Sequence, residues 1–494
     1  MTNKNILAIA VAGVIAATSA MSQVVHVESG ALQGVTAEGV VSFKGIPYAA
    51  PPVGVLRWRA PQPVAPWTDV RAADKPGAVC MQKLNPHDNG LGPGPASEDC
   101  LTLNVFAPAE AKHLPVMVWI HGGGFVNGSA TAALYDGSAL ARQGVVVVTL
   151  NYRLGRFGFF AHPALTAEQK GEPVANYGLM DQIAALEWVK RNIGAFGGDP
   201  TDVTIFGESA GGMAVNRLMM IRKARDLFAK AIVESGVGRE KSQTLAEAEV
   251  DGVKFAGKLG AGSDTAALRA IPADKIIAAG DPDVLGGELP IVDGQMLTEN
   301  PAEAFAAGRV ARVPYMVGSN SLEFPNPGAA MIRPKIVHLT PEQQAAAAKA
   351  YGSQEAADAH IVSDLIFGEP ARWLAGETAK RGMPTWLYRF SVVSAKVPKM
   401  LQGGAVHASD RQYVFNTLNA SPWPTDARDA ALAETISAYW VAFAKTGDPN
   451  GGGRPVWPRY GPDDQLLNFT NDGPVTEKTP DAAALDFLGA GQKP

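Results

Sequence analysis

Two rhythms of apolar residues alternate along most of this chain. Short continuous apolar runs, such as Val145-Val146-Val147-Val148-Thr149-Leu150, leave no polar face, which is the pattern of a strand covered on both sides. Between such runs, apolar residues recur every three or four positions. Ile183, Leu186, Val189, Ile193 and Phe196 form one stripe on a helix expected over 181–196, and Gly197-Gly198-Asp199-Pro200 ends it. Strand, helix, strand with short links is the βαβ rhythm, so the expected class is α/β with a mostly parallel central sheet and helices on both faces.

The same reading predicts strands at 101–107 and 115–120, joined by a short helix-prone link, and further strands at 229–233, 313–318 and 385–393. Residues 24–27 and 40–43 read as the start of an antiparallel hairpin. The Ala-, Glu-, Lys- and Leu-rich stretches 243–283 and 341–382 read as helical insertions over the sheet, and 426–445 as one long helix. No internal repeat, low-complexity linker or break in composition divides the chain, so a single domain carrying helical insertions is expected.

One strand leads into a turn of unusual chemistry. Val203-Thr204-Ile205-Phe206 feeds Gly207-Glu208-Ser209-Ala210-Gly211, and Met213 to Met219 continues as helix. A serine thrust out of a tight strand-to-helix elbow needs small neighbours, which Gly207 and Gly211 supply, and the helix N-terminus beside it offers N–H groups to an anion. No other Gly-x-Ser-x-Gly occurs in the 494 residues.

A serine hydroxyl becomes a nucleophile near neutral pH only with a base, and the base needs an orienting acid. After such an elbow the chain order is serine, acid, histidine. Three histidines follow Ser209: His338 before a helix start, His360 inside a helical block, and His407 in the glycine-containing loop Gly403-Gly404-Ala405-Val406-His407. The loop residue is the best base, because a loop at the strand ends can carry its ring to the serine. Glu323 emerges from strand 313–318 at the same sheet edge and is the candidate acid. In Trp119-Ile120-His121-Gly122-Gly123-Gly124-Phe125 a strand feeds a glycine run, whose bare N–H groups can converge on an oxyanion; Gly123, Gly124 and Ala210 are the candidate donors.

Charge narrows the partners. The formal net charge is -5 and no lysine or arginine block occurs, which disfavours nucleic acid and acidic membranes. Lys4, the apolar run Ile6 to Ala17 and the small residues around Ala20 form a secretory signal, expected over 1–22, with the folded domain over 23–494. The run is too short for a stable membrane anchor. An exported chain whose only cysteines are Cys80 and Cys100 is expected to pair them. Asn468-Phe469-Thr470 is a glycosylation sequon.

Taken together, several motifs resemble the type-B carboxylesterase family, with its cholinesterases and bacterial para-nitrobenzyl esterases. They are Gly45-Ile46-Pro47-Tyr48-Ala49, Ser97-Glu98-Asp99-Cys100-Leu101, the His121 to Phe125 run, Asn151-Tyr152-Arg153-Leu154-Gly155, the Ser209 elbow, Gly318 to Glu323, His407, and Phe443 to Pro449. The resemblance implies an α/β-hydrolase fold with Ser209 as nucleophile, Glu323 as acid, His407 as base, and oxyanion donors at Gly123, Gly124 and Ala210. It also implies the Cys80–Cys100 disulfide and structural ion pairs Arg57 with Glu98 and Arg153 with Asp181.

Two positions depart from the family pattern. Leu322-Glu323-Phe324 stands where Asp-Glu-Gly is usual, and the segment between the cysteines is short and lacks tryptophan, against an aromatic choline site. The expected function is an exported serine carboxylesterase acting on small-molecule esters through an acyl-enzyme, with no metal or organic cofactor. The rivals are an amide, lactone or carbamate hydrolase with the same triad, and a non-catalytic binding relative; the latter kind lacks the serine or the histidine.

Overall fold

A computed structural model describes residues 22–84, 90–282 and 288–492. The expected signal segment lies outside the described residues except for Ser22, which opens the first strand. Among the described residues, thirteen strands form the main sheet. At its centre, Val146–Leu150, Leu114–Ile120, Gly198–Glu208, Lys230–Glu234, Tyr315–Asn320, Thr385–Phe390 and Gln465–Thr470 lie side by side, all parallel. Antiparallel strands extend both edges.

The continuous apolar runs have a direct cause. Val116, Val118, Ile205, Val233 and Val317 face one core, shared with the helices Tyr177–Asn192 and Ala210–Met220. Their neighbours Met117, Trp119, Phe206, Ile232 and Met316 face a second core under the long helix Ala427–Thr446, where Trp440 and Phe443 are buried. Each strand therefore needs apolar residues on both faces. The long helix is delimited as its sequence suggests: Asp426 and Asp429 form a capping box at its start, and Gly447 ends it in the left-handed conformation, φ 73°.

Two expectations need correcting. Residues 24–27 do not pair with 40–43; the intervening strand Gly30–Ala37 pairs with both, giving a three-stranded meander. Glycines interrupt its apolar pattern and hide it from a periodicity reading. The link at 109–113 is a turn without helix, and the strands beside it are separated by Val146–Leu150. Asn468 sits inside the strand Gln465–Thr470, buried, with its amide donating to Glu477 Oε1 at 2.7 Å, so the sequon amide is not presented as a free acceptor.

The scaffold features implied by the resemblance are present. Cys80 and Cys100 form a disulfide that closes a loop of sequence separation 20, worth about 3 kcal/mol in the loop-entropy account. Arg57 donates to both carboxylate oxygens of Glu98, at 2.7 Å through Nε. Arg153 binds Asp181 in the same two-pronged way, at 2.8 and 2.7 Å, and both are buried. Removing one member of such a pair strands the other charge in the core. Asp181→Ala is thus expected to destabilise the protein by about 3–5 kcal/mol, read as a lower denaturation midpoint in urea.

Candidate active site

The carboxyl ends of the central strands converge where ligands of open α/β sheets bind. At the end of Gly198–Glu208 the chain turns through Ser209, with φ 55° and ψ −121°, and enters the helix Ala210–Met220. A non-glycine residue held there stores about 1–3 kcal/mol of strain. The elbow is over-determined by its surroundings: Ser209 N–H donates to Glu234 O at 2.8 Å, and Met213 N–H donates to Ser209 O at 2.8 Å. A side chain at 211 would collide with the Ile120 carbonyl oxygen, so Gly211 is required by close approach.

Ser209, His407 and Glu323, separated by 198 and 84 residues in sequence, form one hydrogen-bonded chain. Ser209 Oγ lies 2.9 Å from His407 Nε2, and His407 Nδ1 lies 2.7 Å from Glu323 Oε2. The acid loop and the histidine loop are laced together. His407 N–H donates to Glu323 O at 2.9 Å, Leu322 N–H to Ala405 O at 2.9 Å, and the Asn320 amide to Val406 O at 2.8 Å. This lacing fixes the imidazole without any regular element under it.

The other histidines considered are elsewhere. His338 is exposed beside Lys335 O, and His360 lies on the helix Gln354–Ser363. The glycine run lies against the elbow: a Cβ on Gly122 would stand 3.1 Å from Ser209 Cβ. Gly123 and Gly124 follow with φ 101° and 60°. The run is held from behind by His121, whose ring stacks on Tyr152 at 4.5 Å, while the Tyr152 hydroxyl donates to His121 O at 2.9 Å. Burial lowers the His121 pKa to about 4, so this ring is neutral. Ala210 is the first residue of the elbow helix, where backbone N–H groups have no partner within the helix.

Several site residues escaped the sequence reading. Glu323 Oε1 accepts from the Ser235 hydroxyl at 2.6 Å and from Asn320 N–H at 2.7 Å, so both carboxylate oxygens are engaged. Ser235 follows the strand Lys230–Glu234 and reaches the same sheet edge, a positional signal of the kind that found Glu323. Glu208 is buried with Oε1 3.3 Å from His407 Nε2. Phe367 and Phe324 pack their rings 4.9 and 5.4 Å from that of His407. Phe367 belongs to a π-helical turn, Asp364–Gly368, which no 3.6-residue periodicity announces.

The charges around His407 are predominantly negative. Burial disfavours its charged form, but the carboxylates of Glu208 and then Glu323 outweigh burial and hold the imidazole pKa at about 9, above the usual 6.5. Behind the site, burial and then Glu208 raise Asp410 to about 7. Arg411 supplies a counter-charge, its Nε 4.0 Å from Glu208 Oε2, and its Nη1 donates to the Tyr135 hydroxyl at 2.6 Å.

A parallel sheet with a serine elbow at its carboxyl edge, faced by a histidine on a carboxylate, defines the class as an α/β-hydrolase. The carboxylesterase family pattern matches residues 21–351 and 330–488. The chain is 36% identical over 484 residues to a fumonisin B1 esterase of Sphingopyxis macrogoltabida, covering 90% of this chain and 86% of that protein. It is 38% identical over 467 residues to a para-nitrobenzyl esterase of Bacillus subtilis, covering 89% and 92%. A crystal structure of a Geobacillus stearothermophilus carboxylesterase is similar with a TM-score of 0.79 at 32% identity, over 94% of this chain and 99% of that one. The chain belongs to the carboxylesterase family and is a carboxylic ester hydrolase.

Proposed function

We propose that the protein is an exported serine carboxylesterase that cleaves small-molecule esters through an acyl-enzyme, with Ser209 as nucleophile, His407 as base and Glu323 as orienting acid. The observation that carries this reading is the 2.9 and 2.7 Å chain from Ser209 Oγ through the His407 ring to Glu323. The Ser209 hydroxyl donates to Nε2, Nδ1–H donates to Glu323, and the Ser235 and Asn320 donors fix the carboxylate in turn.

As Oγ attacks the ester carbonyl, its proton passes to Nε2, and the imidazolium is stabilised by Glu323 and Glu208. Negative charge on the carbonyl oxygen is met by the N–H groups of Gly123, Gly124 and Ala210, each such donor being worth about 3 kcal/mol in the transition state. The imidazolium then protonates the departing alkoxide. Water, deprotonated by the same ring, releases the acid and restores the serine. No step calls on a metal or an organic cofactor. The N-terminal apolar run Ile6 to Ala17 supports export to the periplasm or the outside of the cell.

Turnover of para-nitrophenyl butyrate is expected to exceed that of the matching para-nitroanilide by orders of magnitude; equal rates would point instead to an amide hydrolase. The pH profile has a definite sign. The base must be neutral, and the flanking carboxylates favour its charged form, so kcat/KM should climb through neutral pH and level off on the alkaline side. A profile flat from pH 5 to pH 9 (about the whole range over which such a base titrates) would remove His407 from that role.

A further inference from the structure

A hollow of about 680 Å³ opens at the far end of the elbow helix. That helix runs 11 residues from Ala210 to Met220, so at 1.5 Å per residue the hollow lies about 16 Å from Ser209. Its lining shares no residue with the Ser209–His407–Glu323 chain.

The floor is apolar. Met180 and Ile183 come from the helix Tyr177–Asn192, Met220 and Ile221 from the end of the elbow helix, and Leu297 from a loop; all are buried. Methionine side chains are flexible and polarisable, and adapt to an alkyl chain of any local shape.

The rim is basic: among the described residues of the lining, Arg222, Lys223, Arg225 and Arg309 face two carboxylates, Glu187 and Glu299. Lys223 takes Glu187 at 2.9 Å, and Arg309 takes Glu299. Among the described residues, neither Arg222 nor Arg225 has an ion pair of its own. Arg225 donates instead to the main-chain carbonyls of Met219 at 3.1 Å, Met220 at 2.8 Å, and Arg309. Burial, and then the neighbouring Arg222 charge, lower its pKa from the ordinary arginine value. The same hydrogen bonds cap the carbonyl end of the elbow helix, so the negative pole of its dipole meets a guanidinium rather than the hollow.

We propose that this hollow is a second small-molecule site, for a single-tailed anionic amphipath such as a medium- or long-chain carboxylate. The tail fills the methionine floor and the carboxylate meets Arg222 and Arg225 at the rim. A volume of this order suits a ligand of drug size, and the site does not depend on which residue is the nucleophile.

The test is calorimetric titration of the intact enzyme with decanoate and, in parallel, with decanol and decyltrimethylammonium. Ala184 is half-buried in the lining, so Ala184→Trp puts an indole into the hollow. That variant is expected to abolish a decanoate-binding component of the wild type, and Arg222→Glu to weaken it at least about tenfold, the scale of one well-placed charge. Both variants should keep wild-type ester turnover, which reports that they fold. Decanol should bind at least about tenfold more weakly than decanoate, and the ammonium more weakly still. The absence of decanoate binding, decanoate affinity unchanged in both variants, or decanol binding as tightly as decanoate would each overturn the proposal.

Discussion

Ser209→Ala is expected to cut kcat for para-nitrophenyl butyrate by about 10⁴-fold or more, the scale seen when one member of such a triad is removed. The loss should appear in kcat, because in the proposed mechanism the missing group is the one that bonds to substrate. In the proposed mechanism, residual turnover would come from the oxyanion donors assigned to Gly123, Gly124 and Ala210, which are left in place. Stability should barely change. Ser209 Oγ gives up a single hydrogen bond to His407, and alanine can hold the same backbone conformation, since Ser209 already carries a Cβ at φ 55°. A melting temperature within a few degrees of wild type, with turnover gone, separates chemistry from folding. Full turnover in the variant would move the nucleophile elsewhere.

Glu323→Gln is the second large effect, and it acts through the ring rather than on substrate. The carboxylate accepts on both oxygens, from His407 Nδ1–H on one and from Ser235 and Asn320 N–H on the other. A carboxamide has only one accepting oxygen. Either it stops orienting the ring, or its NH₂ group meets Nδ1 and draws the wrong tautomer, with Nε2 protonated and unable to accept from Ser209. The corresponding change in a serine protease triad costs about 10⁴-fold in kcat, and a loss of that order is expected here. The pH profile adds a signature. Glu323 is among the groups that favour the imidazolium, so its neutralisation should move the residual acid limb to lower pH while Glu208 keeps part of the upward shift. Loss of activity with an unmoved limb would make Glu323 a scaffold residue only.

The elbow was legible because its conformation restricts its residues. A strained serine between a buried strand and a helix needs Gly207 and Gly211, and the neighbouring backbone shows why: Ile120 O would lie 2.6 Å from a Cβ at 207. Glu323 and His407 were legible by a weaker rule, chain order plus position after a strand. Ser235 was not read, because its contact with Glu323 spans 88 residues and depends on two neighbouring parallel strands ending at the same height. Phe367 was hidden by the π-turn that carries it, which breaks the periodicity used to find helices.

Elsewhere the fold was read where burial is two-sided and lost where it is not. Val146–Leu150 stood out as a buried run without charged residues and with a single polar one, Thr149. The C-terminal hairpin, Gln465–Thr470 with Gly473–Lys478, was missed; its outer strand is largely exposed and carries Thr476, Glu477 and Lys478. The helix Gly328–Ile336 was missed as well, with Pro334 inside it and one buried residue, Ala329, to mark a face.

The most direct test of the central claim is a covalent one: exposure of the active enzyme to a fluorophosphonate, followed by proteolysis and mass mapping. The proposed mechanism predicts one modified peptide, carrying the adduct on Ser209, with loss of ester turnover in step with labelling. An adduct on any other residue, or turnover lost with Ser209 unmodified, would contradict it.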